Sequence, residues 1–413
     1  MDKLKVSVYF DNPYSYGGEQ RVVSLILNEL CGLYDITLIS ALKKPAEFPY
    51  PLNPAIRTEC VPHKHLGKGE RWLRRKLIKI NSRTNLFNNR LAGKLYVKVL
   101  DDKKQFKRIA EMLSNDKADV LIGISGRSCP LLNRAAKAGI CKTVAWMHSS
   151  YEAYFETENM YCWHQDHLFR AMLSKIDECV VLNEDIARKY MKNLGAECRV
   201  IYNPRSFVSA EKAELKNKQF IASGRMVHSK GFDLLLESFR EFCKNNSDWT
   251  LVILGDGPLM ASILKKTVEF GILDRVRFAG FVKDVKPFML SSSAFLLPSR
   301  WEGFSMVVTE ALELGLPIVS YNIPAMLPVV TDGKEGILID PFDTEKFAAA
   351  MLRLAESEDL RRRMGKNGIE KAKQFSIEKI SGEWIALMNK YRKDAPADEH
   401  SGGISVGDPP PAR

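Results

Sequence analysis

The sequence predicts an α/β protein made of two doubly wound, parallel-sheet domains in tandem, and three observations carry that prediction. Short runs rich in β-branched residues, such as KVSVYFD (Lys5–Asp11), alternate with segments whose apolar residues recur at helical spacing. Gly-containing loops follow several of these runs directly, as in βαβ units with right-handed crossovers. The alternation then begins again after a hydrophilic link, AEKAELKNKQ. A length of 413 residues suits about two to three domains, each with its own core.

In the first series, the strand Lys5–Asp11 leads through NPYSYGGEQ into a helix (Arg21–Leu30) and a second strand, DITLIS (Asp35–Ser40). DVLIGIS (Asp119–Ser125), a helix near Leu131–Ala138, KTVAWMHSS (Lys142–Ser150) and ECVVLN (Glu178–Asn183) continue it. Pro204 in YNPR (Tyr202–Arg205) disfavours regular structure, so the first domain is set at 1–205. The second, 206–375, runs from FIASGR (Phe220–Arg225) through a helix (Gly231–Asn245), TLVILGDGP (Thr250–Pro258), VRFAGFV, AFLLPS and TEALELG to PIVSYN, which ends at Asn322. A last helix, within 376–392, is expected to pack back toward the first domain. The tail 393–413 has almost nothing apolar to bury and is expected to be disordered.

Hydrophobic residues make up 45% and charged residues 27%, the balance of a globular protein, and no window is apolar enough to span a bilayer. MDKLKVSVYF lacks the h-region of a secretory signal, so a cytoplasmic protein is expected. Eight singly scattered cysteines without C-x-x-C argue for reduced, buried thiols. The net charge is +11, and from Lys64 to Arg108 there are 15 Lys/Arg against three acids. The excess is therefore local to residues 64–108, and the rest of the chain is near neutral.

Two stretches carry chemistry. In SGRMVHSKGF, Arg225 and Lys230 flank a turn that opens a helix at Gly231. Fixed cations beside free helix N–H groups suit a diphosphate, although two such residues also suit a solvated surface. In PSRWEGFSMVVTEALELG, Glu302 lies in a Gly-containing turn before a helix expected to start near Phe304–Ser305. Glu310, eight residues on, sits among Val307, Val308, Ala311 and Leu312. A carboxylate there needs partners, which a ribose diol would supply, unless it lies on a partly exposed helix face.

GR(x4)KG at Gly224–Gly231, LGDGP at Leu254–Pro258, FAGFV at Phe278–Val282 and PSRWEGFSMVVTEALELGLPIV at Pro298–Val319 occur together and in order. Jointly they resemble the C-terminal domain of glycosyltransferase family 4, retaining enzymes of GT-B architecture, with Glu302 and Glu310 as the family's Glu-x7-Glu pair. GGEQRV (Gly17–Val22), His148 and IYNP extend the resemblance to the N-terminal half, over about residues 1–390. It implies two Rossmann-like domains facing a central cleft. It also implies that Arg225 and Lys230 bind the donor diphosphate, that Glu310 holds the ribose, and that Glu302, Gly303, Phe304 and Ser305 hold sugar and phosphate. Val282 would lie against the base, Gly17 and Gly18 would approach the phosphates, and His148 would contact the transferring sugar. Gln20 and Ser305 depart from the family's commoner residues, Glu at the first and Pro, Gly or Leu at the second.

The implied activity is transfer of a hexose or N-acetylhexosamine from a nucleotide diphosphate sugar, chiefly UDP, to a glycan or lipid-linked acceptor in bacterial surface polysaccharide or lipopolysaccharide synthesis. The sequence has no Asp-x-Asp, so metal-independent chemistry without a cofactor is expected. Cys162, His164 and His167 lack a second ligand pair at zinc spacing. Rival readings are a sugar epimerase or phosphorylase of the same architecture, and a non-catalytic glycan- or membrane-binding relative. Within 64–108, Trp72, Leu73, Leu77 and Ile80 interleave with bases, as in a helix lying on an anionic membrane or an amphipathic helix packed on its own sheet. The first alternative would place the protein on the cytoplasmic face of the inner membrane. No nucleic-acid-binding motif accompanies the charge.

Overall fold

The computed structural model describes residues 3–45, 49–64, 67–89, 91–93, 102–158, 160 and 162–392. The tail 393–413 and parts of the basic segment therefore lie outside the described residues.

Two wholly parallel sheets form the frame. The first has strand order β3-β2-β1-β4-β5-β6-β7, with β1 Lys5–Tyr9, β2 Asp35–Ser40, β3 Arg57–Cys60, β4 Val120–Ile124, β5 Lys142–Trp146, β6 Glu178–Val181 and β7 Arg199–Val200. The second has order β10-β9-β8-β11-β12-β13, with β8 Gln219–Ser223, β9 Thr250–Leu254, β10 Val276–Gly280, β11 Ala294–Leu297, β12 Ile318–Tyr321 and β13 Gly336–Ile339. Their central strands are buried along nearly their whole length, which is why they read as unbroken Val/Ile/Leu runs. The edge strand β3, RTEC, is half exposed and correspondingly polar.

The order reverses at the first strand of each sheet, between β1 and β4 and between β8 and β11. In open parallel sheets the loops leaving the strands at such a point diverge and leave a crevice. Gly17–Gly18 and Ser125–Gly126 stand there in the first domain, Gly224–Arg225 and Pro298–Glu302 in the second. The architecture is GT-B.

The chain crosses between domains twice. After β7 it passes Arg205, whose N–H donates to Phe375 O at 2.7 Å. It returns after Phe375, where Ser376 caps helix Ile377–Asn389. That helix packs on helix Gly18–Leu30 of the first domain, and its fully buried Trp384 meets Trp146 with ring centroids 4.4 Å apart. Tyr202, Phe304 and Phe375 pack together at the crossover, at 5.5–6.1 Å. All eight cysteines are free; four are buried and the other four (Cys60, Cys141, Cys198 and Cys243) are only half-buried.

Trp384→Ala removes the largest side chain joining the last helix to the first domain. Such truncations cost about 3–5 kcal/mol, so thermal denaturation should show the first domain melting several degrees earlier.

Candidate active site

The second domain's half of the site is built by one close approach. Gly231 has φ +64°, and a Cβ there would lie 2.0 Å from Pro298 O, so only glycine allows the turn after β8 to press on the end of β11. This brings the two sequence motifs into contact. Arg300 N–H donates to Ser229 O at 2.7 Å, and the Arg300 guanidinium donates to both Asp233 oxygens at 2.8 and 2.7 Å. Lys230 Nζ donates to Glu302 Oε1 at 2.5 Å, and Ser299 Oγ to the same oxygen at 2.7 Å. Lys230 is thus held by a carboxylate rather than standing open to a diphosphate, because Glu302, only 9% exposed, requires a partner. Arg225 is exposed and, among the described residues, has no side-chain partner. It is an open cation at this end of the sheet. Val282 lies half-buried just beyond β10.

Glu310 is buried on the helix Met306–Glu313, 2% exposed, which excludes the partly exposed helix face. Its Oε1 accepts from Arg21 Nη1 at 2.6 Å and from Ser206 Oγ, whereas Oε2 has no partner among the described residues. Burial raises its pKa, and Arg21 and Ser206 oppose that rise. Half of the carboxylate is therefore satisfied by an arginine from the opposite domain, and the other oxygen is buried without a partner among the described residues. Neighbouring Glu313 is saturated separately, by Arg205, by Lys212 Nζ at 2.7 Å and by Ser209 N–H at 2.9 Å.

The first domain closes over this half. Gly17 caps the N-terminus of helix Gly18–Leu30, and a Cβ on Gly18 would sit 3.7 Å from Met306 Cγ, so this loop lies against the start of the Glu310 helix. Tyr16 meets Phe281 edge-on at 5.0 Å. His148, just past β5, lies beside Gly303: a Cβ there would be 3.0 Å from His148 O, and Asn183 Nδ2 donates to Gly303 O at 2.9 Å. Burial lowers the His148 pKa to about 3, so the ring is neutral at working pH, and its Nε2 has no partner among the described residues. A neutral imidazole can bind a sugar hydroxyl but offers no charge.

Two of the expected ligand residues have buried side chains. The Phe304 side chain is buried in the aromatic trio at the crossover. Ser305 is also buried and stands at the N-cap, the helix starting at Met306 rather than at Phe304–Ser305. The exposed N–H groups of that helix start are what the loop can offer an anion.

Arg21, Ser206 and Ser299 were missed in the sequence, although Arg21 stands inside the GGEQRV motif. Glu19 was missed as well. It occupies the first turn of helix Gly18–Leu30, and burial raises its pKa to about 7, opposed by Arg127. His164 is engaged by the loop end of helix Lys68–Thr84, its Nδ1 lying 2.9 Å from Asn81 O.

With this geometry in place, residues 205–371 match the family model described as "Glycosyl transferases group 1". This second half of the chain is similar to group 1 glycosyltransferases. Over 291 residues it is 27% identical to an uncharacterized glycosyltransferase of Haemophilus influenzae, covering 68% of this chain and 79% of that one. It is 26% identical over 291 residues to the lipopolysaccharide core biosynthesis glycosyltransferase LpsE of Rhizobium meliloti, covering 68% and 78%. Among solved structures, S. aureus TarM, crystallised with UDP, fondaparinux and α-GlcNAc-glycerol, superimposes with TM-score 0.72 at 16% identity, covering 94% of this chain and all of that one. Anabaena HepE with UDP gives 0.69 at 14% identity, covering 94% and 100%.

Because Glu19 has a higher pKa folded than its ordinary 4.5, its contribution to stability is full below about pH 4.5 and is lost as pH rises through about 7. Glu19→Gln should therefore match the wild type near pH 4 and exceed it above pH 7. Because Glu19 is only half-buried, the gain falls to about 1–2 kcal/mol, measurable by urea denaturation across pH.

Proposed function

We propose that this group 1 glycosyltransferase retains configuration. It moves a hexose or N-acetylhexosamine from a nucleotide diphosphate sugar, UDP foremost, to a glycan or lipid-linked glycan in surface polysaccharide or lipopolysaccharide assembly. The observation that supports this best is the placement of Arg225, the Lys230–Glu302 pair and the half-satisfied Glu310 at one sheet's switch point, facing His148 across the cleft. LpsE acts in lipopolysaccharide core biosynthesis, and both TarM and HepE were crystallised with UDP.

The chain's part in the chemistry is electrostatic and positional. Arg225 meets the diphosphate first. As phosphate charge develops on the leaving group, Lys230 can share its protons between Glu302 and the phosphate. The free Glu310 Oε2 accepts a ribose hydroxyl, and the neutral His148 ring binds the transferring sugar. Departing phosphate then takes the acceptor proton, and the acceptor oxygen attacks on the same face. These cations supply the countercharge, so no metal is required in this scheme.

Nucleotide release from UDP-sugars should be detectable with the purified protein. Lys230→Ala and Glu310→Ala should each lower it by about two orders of magnitude or more. Turnover unchanged in both variants overturns the site assignment.

The basic segment supports attachment to a membrane surface. Helix Lys68–Thr84 packs inward through Glu70, Arg74, Leu77 and Asn81, whereas Lys68, Trp72, Arg75, Lys76, Lys79 and Arg83 share the opposite face. Trp72 is 61% exposed at the middle of that face, with Lys76 Nζ 4.8 Å from its ring centroid. Leu77 packs against the core, so the apolar contribution to a membrane contact falls to Trp72, flanked by Leu73 and Ile78. No described helix is long and apolar enough to cross a bilayer. Neutralising the Lys/Arg of Arg71–Lys79 should weaken binding to anionic vesicles by about 1 kcal/mol per charge and leave UDP affinity intact. Equal vesicle binding at low salt refutes the contact.

A further inference from the structure

The first domain has its own switch point, and the donor scheme leaves two groups there unused. β1 and β4 run side by side, so the helix start after β1, carrying Glu19, and the turn after β4, carrying Arg127, lie next to each other. Arg127 acts through space on Glu19 and on Asp11, which directly follows the β1 region. Among the described residues neither the Glu19 carboxyl nor the Arg127 guanidinium has a hydrogen bond or ion pair. Nearby Asp11 is different: His63 Nε2 lies 2.6 Å from its Oδ1, and Tyr9 Oη donates to the same oxygen at 3.3 Å. The second carboxylate near His63, Asp102, caps helix Lys103–Asp116 and accepts Lys64 N–H at 2.6 Å. The open charges at this crevice are therefore Glu19 and Arg127.

The turn that presents Arg127 is fixed. Ser125 holds φ +67°, an uncommon conformation for a residue with a side chain, and its N–H donates to Trp146 O at 2.8 Å. Its Oγ lies 3.1 Å from Tyr154 Oη, and Ser128 Oγ donates to Ser125 O at 2.7 Å. Gly126 is enclosed so tightly that a Cβ would come within 3.3 Å of Cys162, Tyr154 and Phe169. Arg127 itself is exposed. A rigid turn that leaves a guanidinium unpaired beside an unpaired carboxyl is complementary to a ligand carrying both an anion and hydroxyls.

Resting on the glycosyltransferase reading, we propose that Arg127 and Glu19 form the acceptor subsite and select a saccharide bearing a phosphate or carboxylate. Arg127 takes the anionic substituent, and Glu19 takes a hydroxyl of the same sugar. Glu19 directly follows Gly17–Gly18, the loop that touches the donor half through Met306, and Arg127 stands at the end of the neighbouring strand β4. An acceptor held there lies at the boundary of the two domains, where transfer takes place.

The test is ligand titration of the full chain by saturation-transfer NMR, with and without UDP, using methyl α-glucoside, glucose 6-phosphate and glucuronate. The wild type should bind at least one charged probe about tenfold or more tighter than the neutral one, and whichever charged probe wins identifies phosphate or carboxylate as the feature read. Arg127→Gln should abolish that preference while keeping thermal stabilisation by UDP, which shows the variant folded. Glu19→Gln should weaken all three probes by a similar factor and keep the preference. Equal or undetectable binding of the three probes overturns the proposal, as does a preference that survives Arg127→Gln. Lack of stabilisation of the wild type by UDP refutes the donor reading alone, since the probes are also titrated without nucleotide.

Discussion

The buried carboxylate of Glu310 organises much of what surrounds it. An ionised carboxylate removed from water costs several kcal/mol unless its oxygens are met. Here one oxygen is met by Ser206, from the interdomain crossover, and by Arg21, from the first helix of the other domain. The buried carboxylate thus also draws the GG loop over it. Gly18 can rest on Met306 because no side chain intervenes, and Tyr16 reaches Phe281 a few residues away. A hydroxyl-bearing ligand that takes Oε2 would complete an arrangement the protein leaves half made, and would do so where the domains already touch.

Glu302 shows the same physics with a different outcome. It too is nearly buried, but Lys230 and Ser299 satisfy it from within its own domain. The Gly231–Pro298 approach makes that pairing possible, since a side chain at 231 would separate the two turns. In the proposed donor site, holding Lys230 on Glu302 would keep the cation oriented and remove the need to fix a long flexible chain on phosphate binding. Arg225, unpaired, can attract the diphosphate at longer range. The two cations read as equivalent in sequence stand in different surroundings, because only one has a carboxylate beside it.

The fold and the donor motifs were legible because their signals are local. Buried parallel strands read as apolar runs, and Gly231 and Glu302 stand inside short ordered words. What was not legible lies across long separations. Arg21 is 289 residues from Glu310, and nothing in GGEQRV indicates which residue it will face. Phe304 looks like a ligand-loop residue until Tyr202 and Phe375, distant in sequence, are seen to enclose it. In the basic segment the interleaving of apolar and basic residues was evident, but their division between two faces was not. Only the packing of Leu77 and Asn81 shows that Trp72 points outward with the lysines.

Folding alone does not account for Glu19. A carboxyl whose pKa is lifted to about 7 by burial weakens the fold at neutral pH, and a glutamine there would avoid that cost. The same crevice shows that the chain can pair such groups, since Asp11 has His63 and Asp102 caps a helix. Leaving Glu19 and Arg127 apart, on a turn held rigid by Ser125 and Gly126, is therefore a feature that stability argues against and ligand binding explains. It also agrees with the charge pattern of the first domain. On the proposed reading, a basic helix face and an unpaired arginine in the first domain would both favour a negatively charged acceptor, which would separate them from the cations assigned to the donor in the second domain.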